Sequence, residues 1–187
     1  MKKLKDMILQ RIRPSSKEAK ELKRIGDEII SKLKIAGTKS EVGGSVAKGT
    51  WLKGSHDIDI YVKFGPKRYE GKDISSTLKK TLEKNYDADM IHGSRDYYQI
   101  KHGPYTVEIV PILDIKRVSD AKNITDVSPF HVRWVRKHKD ITDEIRLAKA
   151  FCKANKIYGA ESYIKGFSGY VLEILTAHYG SFNGLMR

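Results

Sequence analysis

A single cysteine among 187 residues cannot close an intrachain disulfide, so burial and hydrogen bonding must hold the fold together. Cys152 falls on an apolar helical stripe, which predicts a buried structural thiol. Proline is scarce, at five residues, and 40% of the chain is hydrophobic, which excludes a disordered low-complexity polymer. No apolar run approaches the ~20 residues that cross a bilayer, so no membrane role is expected. The opening Met-Lys-Lys-Leu-Lys-Asp-Met-Ile-Leu-Gln-Arg has neither the continuous apolar core nor the small-residue cleavage site of a secretory signal. A cytoplasmic protein is expected. Acid is also in short supply, with 23 Asp and Glu against 36 Lys and Arg, a formal charge of +13 and a pI near 9.7. Residues 116–187 are the more lopsided part, with 13 basic residues against 7 acidic. Such an excess suits a polyanionic partner bound in a salt-dependent way. A lysine-rich surface without a partner is the plainer alternative.

Periodicity divides the chain in two. Lys2–Ile12 reads as a basic amphipathic helix ending near Pro14. Ser15-Ser16-Lys17-Glu18 has capping-box spacing and opens a helix carrying Leu22, Ile25, Ile29 and Leu33, closed by Gly37. Strands are predicted at Lys39–Gly43, Asp57–Phe64, Ala88–His92, Tyr97–Lys101 and Tyr105–Leu113, the last two joined as a hairpin through His102-Gly103-Pro104. Asp73 can cap a helix bearing Ile74, Leu78 and Leu82. From about Lys116 the pattern turns helical. A linker holding Asn123 and Pro129 leads to a helix over His131–Lys139, followed by one with Ile141, Ile145, Ala148 and Cys152 inward. The last predicted helix, Ser168–Tyr179, should bury Val171, Ile174, Leu175 and His178. The expected fold class is α+β: a small mixed sheet with helices on one face, then a helical segment. The expected domains are 1–115, catalytic, and 116–187, helical.

Chemistry concentrates between Gly44 and Val62. A Gly44-Ser45 turn lets backbone amides approach phosphate oxygens. About a dozen residues later Asp57 and Asp59 lie two apart in a strand, with Tyr61 on their side and Ile58, Ile60 and Val62 on the other. In the Tyr105–Leu113 strand Glu108 is the one acid, flanked by Val107 and Ile109. Three carboxylates from two strands beside a phosphate turn describe a two-metal site for nucleotidyl transfer. Each motif alone has a bland reading, as a solvated strand face or an ordinary turn; their combination favours the chemical one. Trp51 is expected in the core. The cluster Arg133, Arg136, Lys137, His138 and Lys139 is either a solvated face or a strip for phosphate contacts.

Longer stretches carry a resemblance. Gly-Gly-Ser-Val-Ala-Lys-Gly-Thr-Trp-Leu-Lys-Gly-Ser-His-Asp-Ile-Asp-Ile, Val-Glu-Ile-Val-Pro, Pro-Phe-His, Phe-Cys-Lys-Ala-Asn-Lys-Ile-Tyr-Gly-Ala-Glu and Lys-Gly-Phe-Ser-Gly-Tyr occur in that order from about residue 40 onward. Together they resemble the archaeal (class I) CCA-adding enzymes, tRNA nucleotidyltransferases of the polymerase-β superfamily. The resemblance implies template-independent addition of CMP and AMP to the tRNA 3′ end, with two Mg²⁺ ions and with ATP and CTP as substrates. It implies Asp57, Asp59 and Glu108 as the catalytic, metal-binding acids, glutamate standing where aspartate is common in the family. It places Gly44, Ser45, Lys48, His131, Lys153, Ser162 and Tyr163 at the nucleotide, Lys48 replacing a common arginine and Ser162 the usual aromatic. His131 reads equally well as a cap or packing residue. The family continues into further RNA-binding domains. The resemblance therefore covers only the catalytic and central helical portion, a fragment or subunit, and a second polypeptide could supply the remainder to grip the acceptor stem. Two other functions stay open: a small stand-alone nucleotidyltransferase for another RNA or a protein, and an inactive RNA-binding subunit. The intact acid trio argues against the last.

Overall fold

Alternating β-branched residues close into one five-stranded sheet in the computed structural model of the chain, which describes residues 2–160 and 163–187, with only the backbone of Lys2. The strands are β1 (Thr38–Val42), β2 (Asp57–Phe64), β3 (Asp89–Ile91), β4 (Tyr97–His102) and β5 (Tyr105–Leu113), in spatial order β1-β2-β5-β4-β3. The β2–β5 pairing is parallel and the other three are antiparallel, so the sheet is mixed, as expected. β4 and β5 form the expected hairpin, His102 opposite Tyr105, with Gly103 at φ +59° in the left-handed region that glycine tolerates.

The described helices are α1 (Lys2–Ile12), α2 (Ser16–Lys32), α3 (Gly44–Lys48), α4 (Ile74–Leu82), α5 (Ser128–Arg136), α6 (Thr142–Ala154), α7 (Gly169–His178) and α8 (Phe182–Leu185). Contacts cluster into two compact units. A sheet unit comprises Ala19–Ala47 and His56–Val132; a helical unit comprises Met1–Glu18, Lys48–Ser55 and Arg133–Arg187.

In the sheet unit Ile58, Ile60, Val62, Val107 and Ile109 are wholly buried, facing α2 and α4 through Leu22, Ile25, Ile29, Leu78 and Leu82. Asp73 caps α4 by accepting from the amides of Ser75 (2.9 Å) and Ser76 (3.1 Å), two donors that the first turn leaves without helical partners. The segment after β5 is pinned by Asp126. Fully buried, it accepts from the amides of Leu113 (2.8 Å), Lys122 (3.1 Å) and Asn123 (3.0 Å) and from both Nη atoms of Arg95.

In the helical unit α1 lies on α6, tied by Lys5 to Glu144 (2.7 Å) and by Arg13 to Asp143. The capping box forms: the Ser15 amide donates to Glu18 (2.8 Å) and the Glu18 amide to the Ser15 hydroxyl (3.2 Å). Trp51 and Cys152 are buried as expected, and burial pushes the Cys152 thiol pKa up. No described helix is long and apolar enough to cross a membrane.

Four local expectations need correcting. Gly44-Ser45 starts a helix, α3, rather than sitting in a bare turn. Pro129 lies in the first turn of α5, where its missing amide costs no helical hydrogen bond, and not in the linker. The linker itself contains short 3-10 turns, Val118–Asp120 and Ile124–Val127. In α7 the buried residues are Leu172, Glu173 and Thr176, while Val171, Ile174 and His178 face solvent. The helix is turned that way because Glu173 has buried partners that no local periodicity reveals.

Candidate active site

The parallel register of β2 and β5 sets Asp59 directly beside Glu108 and Asp57 beside Thr106. Neighbouring strands lie about 4.8 Å apart, so Asp59 and Glu108 share one face at adjacent positions, with Asp57 two residues along it. Asp57 is exposed, and Asp59 and Glu108 are half-buried. That face is not uniformly polar. Beyond the acids, Tyr61 and Ile112 bury against Val132 of α5, with Ala47 of α3 and Val110 packed alongside. The acids therefore occupy the uncovered end of a face whose other end is a small core.

Close packing explains the sequence around Gly44. Its φ is +53°, and a Cβ there would come within 1.7 Å of Asp59 Oδ2. A Cβ on Gly43 would meet the Tyr61 ring at 2.3 Å. The Gly43 amide donates to the Asp59 carbonyl (2.8 Å), and the Gly44 amide donates to the Tyr61 hydroxyl (3.2 Å). The glycines thus let the turn lie directly against the strand that carries the acids. Tyr61 was expected on the face of the acids, but its bond to Gly44 was not, and Gln99 is the residue that sequence reasoning missed here. Gln99, opposite Glu108 in β4, donates its amide to Glu108 Oε1 (2.8 Å). Strand register links them, so an alternation argument extended to β4 would have found Gln99.

Burial raises the Glu108 pKa above the ordinary glutamate value, and the negative charge of Asp57 raises it further, against the Gln99 hydrogen bond. Like-charged groups placed so close favour a site completed by a cation. Among the described residues no three His, Cys, Asp or Glu side chains form a group that could by themselves hold a metal ion.

His131 belongs to the sheet unit, half-buried in α5 beside Val132. Lys48, Lys153 and Tyr163 belong to the helical unit. Lys48 pairs with Glu173 (2.9 Å) and lies 5.0 Å from the Tyr170 ring centre. Lys153 lies 5.1 Å from the Tyr158 ring centre, and Tyr163 is exposed. Ser162 lies outside the described residues. Of the basic cluster, Arg133, Arg136, Lys137 and Lys139 are exposed, whereas His138 packs on Trp134, ring centres 4.3 Å apart. Glu173 and Lys149, both buried, were not singled out by sequence reasoning at all.

A mixed sheet carrying two alternate aspartates beside a cross-strand acid, with a glycine turn pressed against them, is the framework of a nucleotidyltransferase. The family model described as nucleotidyltransferase domain matches residues 22–131, and the chain belongs to that family. A second model, tRNA nucleotidyltransferase, second domain, matches residues 143–187. Within the family the chain is a relative of the archaeal CCA-adding enzymes. It is 47% identical over 148 residues to the CCA-adding enzyme of Nanoarchaeum equitans, covering 78% of this chain and 37% of that protein. It is 38% identical over 190 residues to that of Sulfolobus acidocaldarius, covering 98% of this chain and 45% of that protein. The chain spans less than half the length of these curated relatives. Among solved structures, the Cid1 poly(U) polymerase bound to Mg and 3′-dATP superposes with a TM-score of 0.74 at 17% identity, over 95% of this chain and 54% of that one. A cytoplasmic RNA terminal U-transferase gives 0.71, also at 17% identity, over 95% and 52%. Both share the polymerase-β-like fold.

Proposed function

We propose that this chain is the catalytic part of a tRNA nucleotidyltransferase that adds CMP and AMP to the tRNA 3′ end. The observation that carries the proposal is the register placing Asp59 beside Glu108, with Asp57 two residues along the same face. Kinship with CCA-adding enzymes supplies the substrates: CTP, ATP and a tRNA acceptor stem. The aspartates and Glu108 would hold two Mg²⁺ ions, which when bound activate the attacking 3′-hydroxyl and stabilise the departing pyrophosphate. Glu108 is assigned to the side of the attacking hydroxyl. Gly44 and Ser45 present backbone to the nucleotide's phosphates. Lys48 and Lys153 are assigned to the polyphosphate's charge, and His131, Ser162 and Tyr163 to the nucleotide. Two functional domains, residues 1–115 and 116–187, and a cytoplasmic setting are part of the same reading. A second polypeptide that grips the tRNA body is a partner in the same reading.

The test uses the purified chain, Mg²⁺, labelled CTP or ATP, and tRNA lacking its 3′ end. Incorporation of label into the tRNA, lost on chelation, is expected. Label transferred to protein or to unrelated RNA alone would replace this reading with that of a stand-alone nucleotidyltransferase. RNA binding should weaken steeply with salt, as released counterions require; equal affinity at low and physiological salt would exclude a phosphate-contact role for the charge excess.

A further inference from the structure

Lys149 and Glu173 are 2% and 1% exposed in the helical unit. Exchanging a buried ion pair for apolar side chains is often neutral or stabilising, so stability is a poor reason for having one. The buried Asp126 is accounted for by the backbone amides it satisfies. The Glu173 carboxylate accepts from no backbone group among the described residues; its donors are side chains. Oε1 accepts from the Lys149 ammonium (2.7 Å) and the Thr50 hydroxyl (2.6 Å), and Oε2 from Lys48 (2.9 Å). Thr50 in turn accepts from Lys149 (2.9 Å). A Cβ on Gly169 would lie 2.8 Å from the Tyr158 hydroxyl and 3.6 Å from Lys149 Nζ, so the cluster is tightly enclosed.

Burial alone would raise the Glu173 pKa, but Lys149 and Lys48 outweigh it and hold the group below the ordinary glutamate value. Lys149 is depressed by burial, offset by Glu173 and depressed further by the charges of Lys48 and Lys153. Two ammonium groups, Lys149 and Lys48, thus share one carboxylate, leaving an excess of positive charge that favours a second anion. Lys48 closes α3, whose first residues are Gly44 and Ser45. An ammonium has three donors, and Glu173 takes one of those on Lys48.

We propose that Glu173, braced by Lys149 and Thr50, is a positioning residue that holds the Lys48 ammonium, and with it the end of α3, in the orientation that receives a nucleotide's polyphosphate. This rests on the nucleotidyltransferase reading above. Releasing Lys48 keeps its charge but loses its alignment. Glu173→Gln should therefore lower kcat about 10- to 100-fold, the cost of a small misplacement, while the KM for CTP stays the same or falls.

The full chain is assayed with Mg²⁺, CTP and tRNA lacking its 3′ end, as wild type, Glu173→Gln, Lys48→Met, their double variant and Asp57→Ala. Because Glu173 acts through Lys48, Glu173→Gln should change kcat less than about 2-fold in the Lys48→Met background. Full additivity, an unchanged kcat, or a raised KM at constant kcat overturns the proposal. If Glu173→Gln does not fold by circular dichroism, Thr50→Val carries the test. It should lower kcat about 3-fold, as expected for one lost hydrogen bond, and have no effect beside Lys48→Met. Calorimetry with inorganic triphosphate reads the ground state without turnover: equal or tighter binding by Glu173→Gln supports the proposal and weaker binding overturns it. A wild-type chain that neither transfers nor binds triphosphate sinks the underlying reading, whereas an inactive Asp57→Ala beside a fully active Glu173→Gln sinks only this inference.

Discussion

Glu108 in the sheet unit and Glu173 in the helical unit are both withdrawn from water, yet their surroundings treat them oppositely. Glu108 has an amide donor and a neighbouring aspartate, and its proton affinity is raised. Glu173 has two lysines and a threonine, and its proton affinity is lowered. The first carboxylate is an unfinished electrostatic arrangement that calls for a cation from outside; the second is complete within the fold. A functional acid and a positioning acid can thus be told apart by what each lacks.

The sharpest way to break this contrast is to remove a carboxylate at the unfinished site. Asp57→Ala or Asp59→Ala should reduce single-turnover transfer by several orders of magnitude, since each removes a ligand for catalytic metal. The thermal midpoint should barely move for the exposed Asp57. Wild-type turnover by either variant would dismiss the two-metal assignment.

Stability separates the two glutamates next. Glu173→Gln leaves the paired lysines without a countercharge and should cost about 3 to 5 kcal/mol in chemical denaturation. Glu108→Gln should do the reverse. A carboxyl whose folded pKa lies above its unfolded value favours the fold when protonated, and stability is lost as pH rises through that range. At neutral pH its ionised form is a cost, so the neutral glutamine should raise the thermal midpoint or leave it unchanged. It should also reduce any stabilisation of the wild type by Mg²⁺, which follows from mass action on the folded state. A lower midpoint for Glu108→Gln would show that its charge is already compensated and would remove the basis of the comparison.

The smallest expected effect sharpens the picture of the glycine turn. Tyr61→Phe deletes the acceptor of the Gly44 amide and keeps the ring packed on Ile112 and Val132. A loss of about 1 kcal/mol in stability is expected, with a larger proportional loss in nucleotide affinity. Equal affinity for wild type and variant would mean that the turn is held by packing alone.

Much of the sheet unit was legible because its signals are local. The predicted spans Asp57–Phe64 and Tyr105–Leu113 coincide with β2 and β5, since alternation between fully buried aliphatics and acids leaves little choice of face. The Ser15–Glu18 box and the Asp73 cap were readable for the same reason. The register between β2 and β5 was not readable: nothing in either strand alone states that Asp59 lies beside Glu108. The α7 helix was misread because an acid looks like a surface residue until its partners are known. Those partners lie 24 residues away at Lys149, 123 at Thr50 and 125 at Lys48.

The same separations bear on the order of synthesis. The helical unit takes a short strip, Lys48–Ser55, from the middle of the chain and joins it to Arg133–Arg187. A ribosome therefore releases that strip, with Thr50 and Lys48, well before the helix that carries Glu173 exists. Until α7 emerges, the strip has no buried carboxylate to meet, and the unit must wait for a long loop to close. Cutting the chain between the two matched family segments would accordingly not liberate two self-sufficient halves, because the later half would leave part of its interior behind on the earlier one.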